Sequence, residues 1–386
     1  MLLAVALVAL IALNVSMVLP VMIEAGSRGF TDYGGLYLAG RIITDRQTQH
    51  MYDYAAQVQF QRQLFGVSRP GVPFNHPAYE ALLFAPLSLL PFASSLYVWV
   101  LLNIFMLLVV AQLLRPFLAP SIPALNIAVF AVALAFAPVG IALMQGQDSI
   151  LQLLLLTFAF VELKKGREFR AGCFLALALF KWHLVLPVIF LLLLRREWKA
   201  GQGFLTAAIV LVLISLAITG LGGAIAYFDL VRYTGKMLDI PQAMPNLRGI
   251  IAFFIPREGL VRALTVVLSA GLLLLPVASL PRVRDKRSVA FDLDFALMVT
   301  IAVLVGYHVY IHDLTLLLLP LVLVASFLFQ RQQWVPLGCL GCFLLIQVYA
   351  SVFGLLYAPL LTLPVLGFAL LIWIESRRLV RCELQP

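Results

Sequence analysis

Asp32 stands in Gly26–Gly35 (GSRGFTDYGG), just after an apolar run, Leu2–Ile23. That run is long enough to span a bilayer, which takes roughly 20 residues. A carboxylate held at such a water boundary can act as a general base on a molecule brought to the membrane surface. The other reactive side chains are Lys181, Arg248, the turn Gln145–Asp148 (QGQD) and the histidines His50, His76, His183, His308 and His312. In the topology read below, all of them fall on or near the side that carries Asp32. Lys181 and His183 lie within a membrane run, and ionisable groups there are costly and mark a path or a site. The plainer alternative for Lys181 is a side chain that snorkels to the interface.

His308 and His312 are four residues apart, so a helix would put both on one face. The spacing suits zinc, but Val309 stands where a zinc protease carries its Glu, and no third ligand is evident. Binding an anion or a sugar hydroxyl is the better reading. Asp292 and Asp294 form a DxD that follows the basic loop Arg282–Arg287. It falls on the side opposite Asp32 and reads as a helix N-terminus favoured by the dipole. Cys339 and Cys342 form a CxxC inside an apolar helix without a second ligand pair, which reads as packing. Cys173 and Cys382 add no disulfide framework. No Walker motif, GxGxxG or GxSxG occurs. No metal site and no cofactor are expected.

The elements that must position these residues are membrane helices. Of 386 residues, 63% are hydrophobic and 12% charged, and the mean hydropathy is +1.02. A soluble domain cannot hide that much apolar surface. The apolar runs also exceed barrel strands and do not alternate. The fold class is an all-α polytopic membrane protein, with about twelve hydrophobic segments: 2–22, 93–114, 121–143, 148–163, 171–180, 183–194, 203–221, 261–280, 290–306, 313–329, 335–353 and 359–375. The first is read as a retained helix, since it lacks a basic n-region and a cleavage site. Sixteen of the 27 Lys and Arg collect in short loops on one side, which marks that side as cytoplasmic. Nucleic acid is therefore not an expected partner, despite the net charge of +9.

Residues 171–194 start and end beside basic loops, so one helix cannot account for them. Two half-length helices meeting at Lys181-Trp182-His183 (KWH) can, because a buried backbone break is tolerated where it lines a cavity. Residues 1–386 read as one integral-membrane domain. Its two outer loops, 24–80 and 222–262, carry short interfacial stretches at Tyr52–Leu64, Ala81–Pro91 and Met244–Phe254.

Phe74–Phe92 (FNHPAYEALLFAPLSLLPF) resembles the Pro-then-LLF-PL-LLP stretch of the polyprenyl-phosphate-mannose-dependent mannosyltransferases, glycosyltransferase family 87 of the GT-C superfamily. Asp32-Tyr33 followed by Tyr37 and Ala39 is similar to the family's Asp-aromatic stretch. Gly146-Gln147 is similar to its Gly-Gln turn, and Ala171–Arg196 to its AG…LA…K…P…LL.RR segment. His312 stands where the family often has a His before a hydrophobic helix. The family's Ser-Pro-x-x-Trp ahead of that His is replaced by Gly306–Ile311 (GYHVYI).

The resemblance implies a GT-C-like helical bundle that moves a sugar, mannose in the family, from a polyprenyl-phosphate donor to a lipid or glycan acceptor. Transfer would be on the outer side of the membrane, with inversion and without a nucleotide. It implies Asp32 as the base. The chemistry then asks for cations near the leaving phosphate, for which Lys181, Arg248, His308 and His312 are the candidates. Tyr33, Tyr37, His76, Gln147, His183 and Asn246 are candidate substrate contacts. Donor, acceptor and membrane lipids are the expected partners. A bacterial inner membrane, with the site facing the periplasm or exterior, is the expected location. The alternative is a transporter or flippase of a lipid-linked sugar or small anion, which would share the buried lysine and broken helices without needing Asp32.

Overall fold

The computed structural model describes residues 2–28, 31–66, 71–118, 125–237, 239–280, 282–283, 285–353 and 355–384. Gly29-Phe30 of the Asp32 segment, Arg69, residues 121–124 and Arg284 lie outside them, and the side chains of Arg381 and Cys382 are not described either. Among the described residues there are seventeen α-helices and no strand. Six helices are long and apolar enough to cross a membrane, or up to eight spans if two bent pairs each count as one.

Helix α1 (Leu2–Arg28) leads into α2 (Tyr33–Thr44). Two short helices follow, α3 (Tyr54–Phe65) and α4 (Ala78–Phe84), then the span α5 (Phe92–Leu114). The segment expected as one helix over 121–143 is instead α6 (Leu125–Ala135) and α7 (Ala137–Gln145), bent by 71°. Pro138 at the start of α7 explains the break, because it has no N–H to continue the ladder. After α8 (Ser149–Lys164) come α9 (Glu168–Leu177) and α10 (Trp182–Leu194). The run over them is bent by 63° beside Lys181, the expected pair of half-length helices.

Helix α11 (Trp198–Met237) continues well into the expected outer loop, with a break at Gly220 (φ 70°). It is followed by α12 (Leu247–Phe254), α13 (Glu258–Ser279) and α14 (Val289–Val305). A 3-10 turn, Ile311–Leu317, leads into α15 (Leu318–Gln330), and α16 (Trp334–Phe353) and α17 (Thr362–Leu384) complete the chain.

The span Ile311–Gln330 is 89% buried, whereas the best windows of α11 and α13 are 6% and 11% buried. Helix α14 is buried on every side from Phe291 to Leu304. A helix apolar all round belongs at the centre of a bundle or in lipid. So α14 and α15 form the centre, and α11 and α13 turn apolar faces outward. Helices α9 and α11 cross very closely: a Cβ at Gly172 would lie 1.9 Å from the Ala200 carbonyl oxygen, and one at Gly203 1.9 Å from that of Phe169. The crossing fixes the α9 half of the broken span, and with it the position of Lys181.

Candidate functional site

The turn after α7 organises one end of the bundle. Gly146 adopts φ +64°, and a Cβ there would meet Tyr33 Cβ at 2.7 Å. Only glycine meets both demands cheaply. Its carbonyl accepts from Trp99 Nε1 at 2.9 Å, so the turn is pinned against α2 and α5. Three neighbouring side chains then point to three partners. Gln145 Oε1 is 2.8 Å from His312 Nδ1. Gln147 Nε2 donates to Asp32 Oδ2 at 2.7 Å. Asp148 Oδ1 pairs with Lys181 Nζ at 2.8 Å.

Asp32 caps the start of α2 without using its side chain as a cap. Its half-buried carboxylate is held by Gln147. This is an oriented carboxylate with an open flank, the geometry a general base needs. The helix that follows was not expected. Tyr33 and Tyr37 are on its buried side, with their hydroxyls 2.6 Å from Ser95 Oγ and 2.9 Å from the Leu90 carbonyl. Tyr33 packs against Phe84, Phe92 and Trp99, and Tyr37 against Phe65 and Phe92, as core.

Lys181 is buried, and its ammonium faces inward. It donates to Asp313 Oδ1 at 2.6 Å, to Ser149 Oγ at 2.7 Å and, longer, to Gln147 Oε1 at 3.4 Å. Asp313 also accepts from the Tyr310 backbone N–H at 3.0 Å and lies 3.5 Å from His312 Nε2. On the far side of Asp148, His76 Nδ1 lies 3.4 Å from Asp148 Oδ2 and 2.6 Å from Glu80 Oε2. Burial works against a charged His76. The attraction of Glu80, then bonds to Asp148 and Glu80, outweigh it and raise its pKa to about 10. The structure thus joins Asp32, Gln147, Lys181, His76 and His312 in one network.

A second group lies beside the first. Arg248 pairs with Asp239 at 2.5 Å and is stacked 4.0 Å above the Tyr307 ring. His308 Nδ1 is 3.1 Å from the other Asp239 oxygen. Burial opposes the Asp239 charge, but its bonds with His308 and Arg248 prevail and hold the carboxyl below its ordinary range. His183 packs edge-on to His308, with its Nε2 buried and unbonded. The Tyr310 ring stands between His308 and His312, at 4.8 and 6.1 Å. These two histidines do not share a helix face: Tyr310 is extended (φ −106°, ψ 176°), and the 3-10 turn starts only after it. Asn246 serves as the cap of α12, accepting from the Gly249 N–H and donating to the Gly306 carbonyl.

Asp313, Asp239, Glu80 and Ser149 were missed in the sequence. Asp313 had a signal, since an acid in an apolar run is costly and implies a partner; Lys181 made the same demand from its own side. Glu80 is fully buried on His76. Asp292 and Asp294, at the start of α14, carry more than a dipole effect: they pair with Lys164 at 2.5 Å and Arg195 at 2.8 Å.

A model of glycosyltransferase family 87 matches residues 74–306, more than half of the chain. Those residues include Gln147, Lys181 and Arg248; Asp32 precedes them, and His308 and His312 follow. No curated protein sequence and no solved structure matches the chain.

Proposed function

The chain belongs to glycosyltransferase family 87, and from that premise we propose that it transfers a sugar, mannose first among candidates, from a polyprenyl phosphate to a lipid or glycan acceptor. That it is a membrane glycosyltransferase follows from the family and the apolar spans. The transporter reading loses its ground with it. The observation that carries the mechanism is the half-buried Asp32 carboxylate held by Gln147 Nε2 at 2.7 Å.

Asp32 takes the proton from an acceptor hydroxyl, which is a poor nucleophile without a base. The acceptor oxygen then forms a bond to the anomeric carbon from the face opposite the phosphate. The carbon–oxygen bond to the phosphate breaks, its electron pair leaves with the lipid phosphate, and the anomeric centre inverts. The departing phosphate gains charge and needs cations in place beforehand. We assign that role first to Arg248, His308 and His312. Lys181 stands behind them, since its ammonium already holds Asp148 and Asp313. His76, His183 and Gln147 line the same end of the bundle, where acceptor or sugar hydroxyls would bind.

We place this end on the exterior face of a bacterial inner membrane. The support is that α8 runs sixteen residues from Ser149, beside Lys181, to Lys164 among the basic loops; at 1.5 Å per residue that is about 24 Å. The test is transfer in detergent, with polyprenyl-phosphate mannose as donor, no nucleotide and no second compartment. Release of polyprenyl phosphate dependent on an acceptor supports the reading. Failure with every polyprenyl-phosphate sugar offered, by folded protein, sinks it.

A further inference from the structure

The buried network at the Asp32 end has more acids than bases. Glu80, Asp148 and Asp313 are all nearly or fully buried, and the buried Lys181 meets two of them, Asp148 and Asp313. Three carboxylates meet one ammonium and one imidazole there, so even a charged His76 leaves more acids than cations in a low-dielectric interior. Lys181 satisfies Asp313 and one oxygen of Asp148 from one side. The other side is left to His76, Glu80 and the second Asp148 oxygen.

We propose that His76, Glu80 and Asp148 form a binding site for a divalent transition-metal ion. One ligand atom from each of the three lies within 4.8 Å of the others. His76 Nδ1 is 3.4 Å from Asp148 Oδ2 and 2.6 Å from Glu80 Oε2. Zinc bonds of about 2.0–2.2 Å to nitrogen and oxygen in a tetrahedral site put ligand atoms roughly 3.3 Å apart. The first separation already fits, and the second needs a small opening. Glu80 Oε1 is buried and has no hydrogen-bond partner, and Asp148 Oδ2, the oxygen that Lys181 leaves free, has no hydrogen bond of good geometry. Side chains so deeply buried are ordinarily satisfied.

One imidazole and two carboxylates suit zinc or manganese better than calcium or magnesium. His76 is the partly exposed member, with 23% of its side chain open, so it marks the entry and the position left for water. The ion would take the place of a proton on His76 and supply the positive charge that the three carboxylates lack. It would also tie the segment ahead of α4 to Asp148, one residue from the Gln147 that holds Asp32. This goes against the sequence expectation of no metal, which rested on the His308–His312 pair and the DxD alone.

The test is direct binding, independent of any transfer reaction. The full chain is purified in detergent, stripped with chelator and titrated with Zn²⁺ by calorimetry, with thermal melting in parallel. The expected result is one saturable site and a raised melting temperature. His76→Ala and Glu80→Gln should each weaken binding by about 10–100-fold and lose the thermal shift, while His50→Ala, at an exposed position, binds as wild type does. If Glu80→Gln does not fold, His76→Ala decides, because that side chain is partly exposed. Absence of one-to-one binding would overturn the proposal and leave a protonated His76 as the counter-charge. So would binding within twofold of wild type in His76→Ala.

Discussion

Lys164 and Lys181 are both buried lysines, at opposite ends of α8, and their surroundings differ. Lys164 donates to one carboxylate, Asp292, and to the carbonyls of Arg287 and Ser288. Around it, Arg195 meets Asp294, and Lys286 with Arg282 meets Glu197. Each buried acid there has its own base. At the other end Lys181 serves two carboxylates, and a third lies behind His76. Balanced pairs fasten helices together; a surplus of buried charge is retained where something else must bind or react. Length and polarity alone would not separate these two ends, whereas charge balance does.

The sharpest way to test that contrast is at Asp32. Asp32→Asn keeps the shape and removes the base, so transfer should fall about 10²–10⁴-fold, while donor binding and the melting temperature hold. Transfer within a few-fold of wild type would mean that the Asp32 end is not the catalytic one. Next is Lys181→Met, which strands Asp148 and Asp313 without their cation. Breaking a buried pair from one side costs about 3–5 kcal/mol, so the melting temperature in detergent should drop steeply. Donor affinity, measured on the surviving folded fraction, shows whether Lys181 also meets the phosphate.

A smaller effect is expected at the balanced end. Removing both partners together, in Lys164→Met with Asp292→Leu, should be close to neutral in stability, with transfer per folded molecule unchanged. A large loss of transfer would break the comparison, since that end would then share in the chemistry. The smallest effect is a pH dependence at Asp239. Its carboxyl is held low in the folded protein, so its contribution is present above the ordinary carboxylate range and is lost as pH falls through the folded value. Wild type should lose melting temperature below about pH 4 slightly faster than Asp239→Asn does; identical acid limbs would remove Asp239 from the site's electrostatics.

Much of this was legible in the chain. Apolar runs mark most of the helices, and the break at Lys181 follows from two basic loops flanking a segment that must turn back. The residues of the candidate site were legible as types, since Asp32, Lys181, Gln147 and His312 are the polar exceptions in apolar surroundings. Their partners were not. Gln147 reaches Asp32 across 115 positions, and Lys181 reaches Asp313 across 132, and no periodicity encodes such pairings. Tyr33 and Tyr37 misled for a related reason: an aromatic beside a catalytic candidate suggests a sugar platform, but burial decides its use, and α2 turns both rings into the core. The bend at Phe136 was hidden because Phe136 interrupts the helix without interrupting hydropathy.

The double ion pair of Lys181 also has a direction in time. Asp148 is synthesised before Lys181, but Asp313 emerges 132 residues after it. At roughly 5–20 residues per second that is a wait of roughly 7–26 s. While α9 and α10 insert, the lysine thus enters the bilayer already escorted by one acid, its charge cancelled by a neighbour that arrived earlier. The second acid comes with Ile311–Gln330, the most deeply buried of the candidate spans. The order of the two acids along the chain is therefore also an order of synthesis: one counter-charge precedes the lysine, and the other joins a pair that is already made.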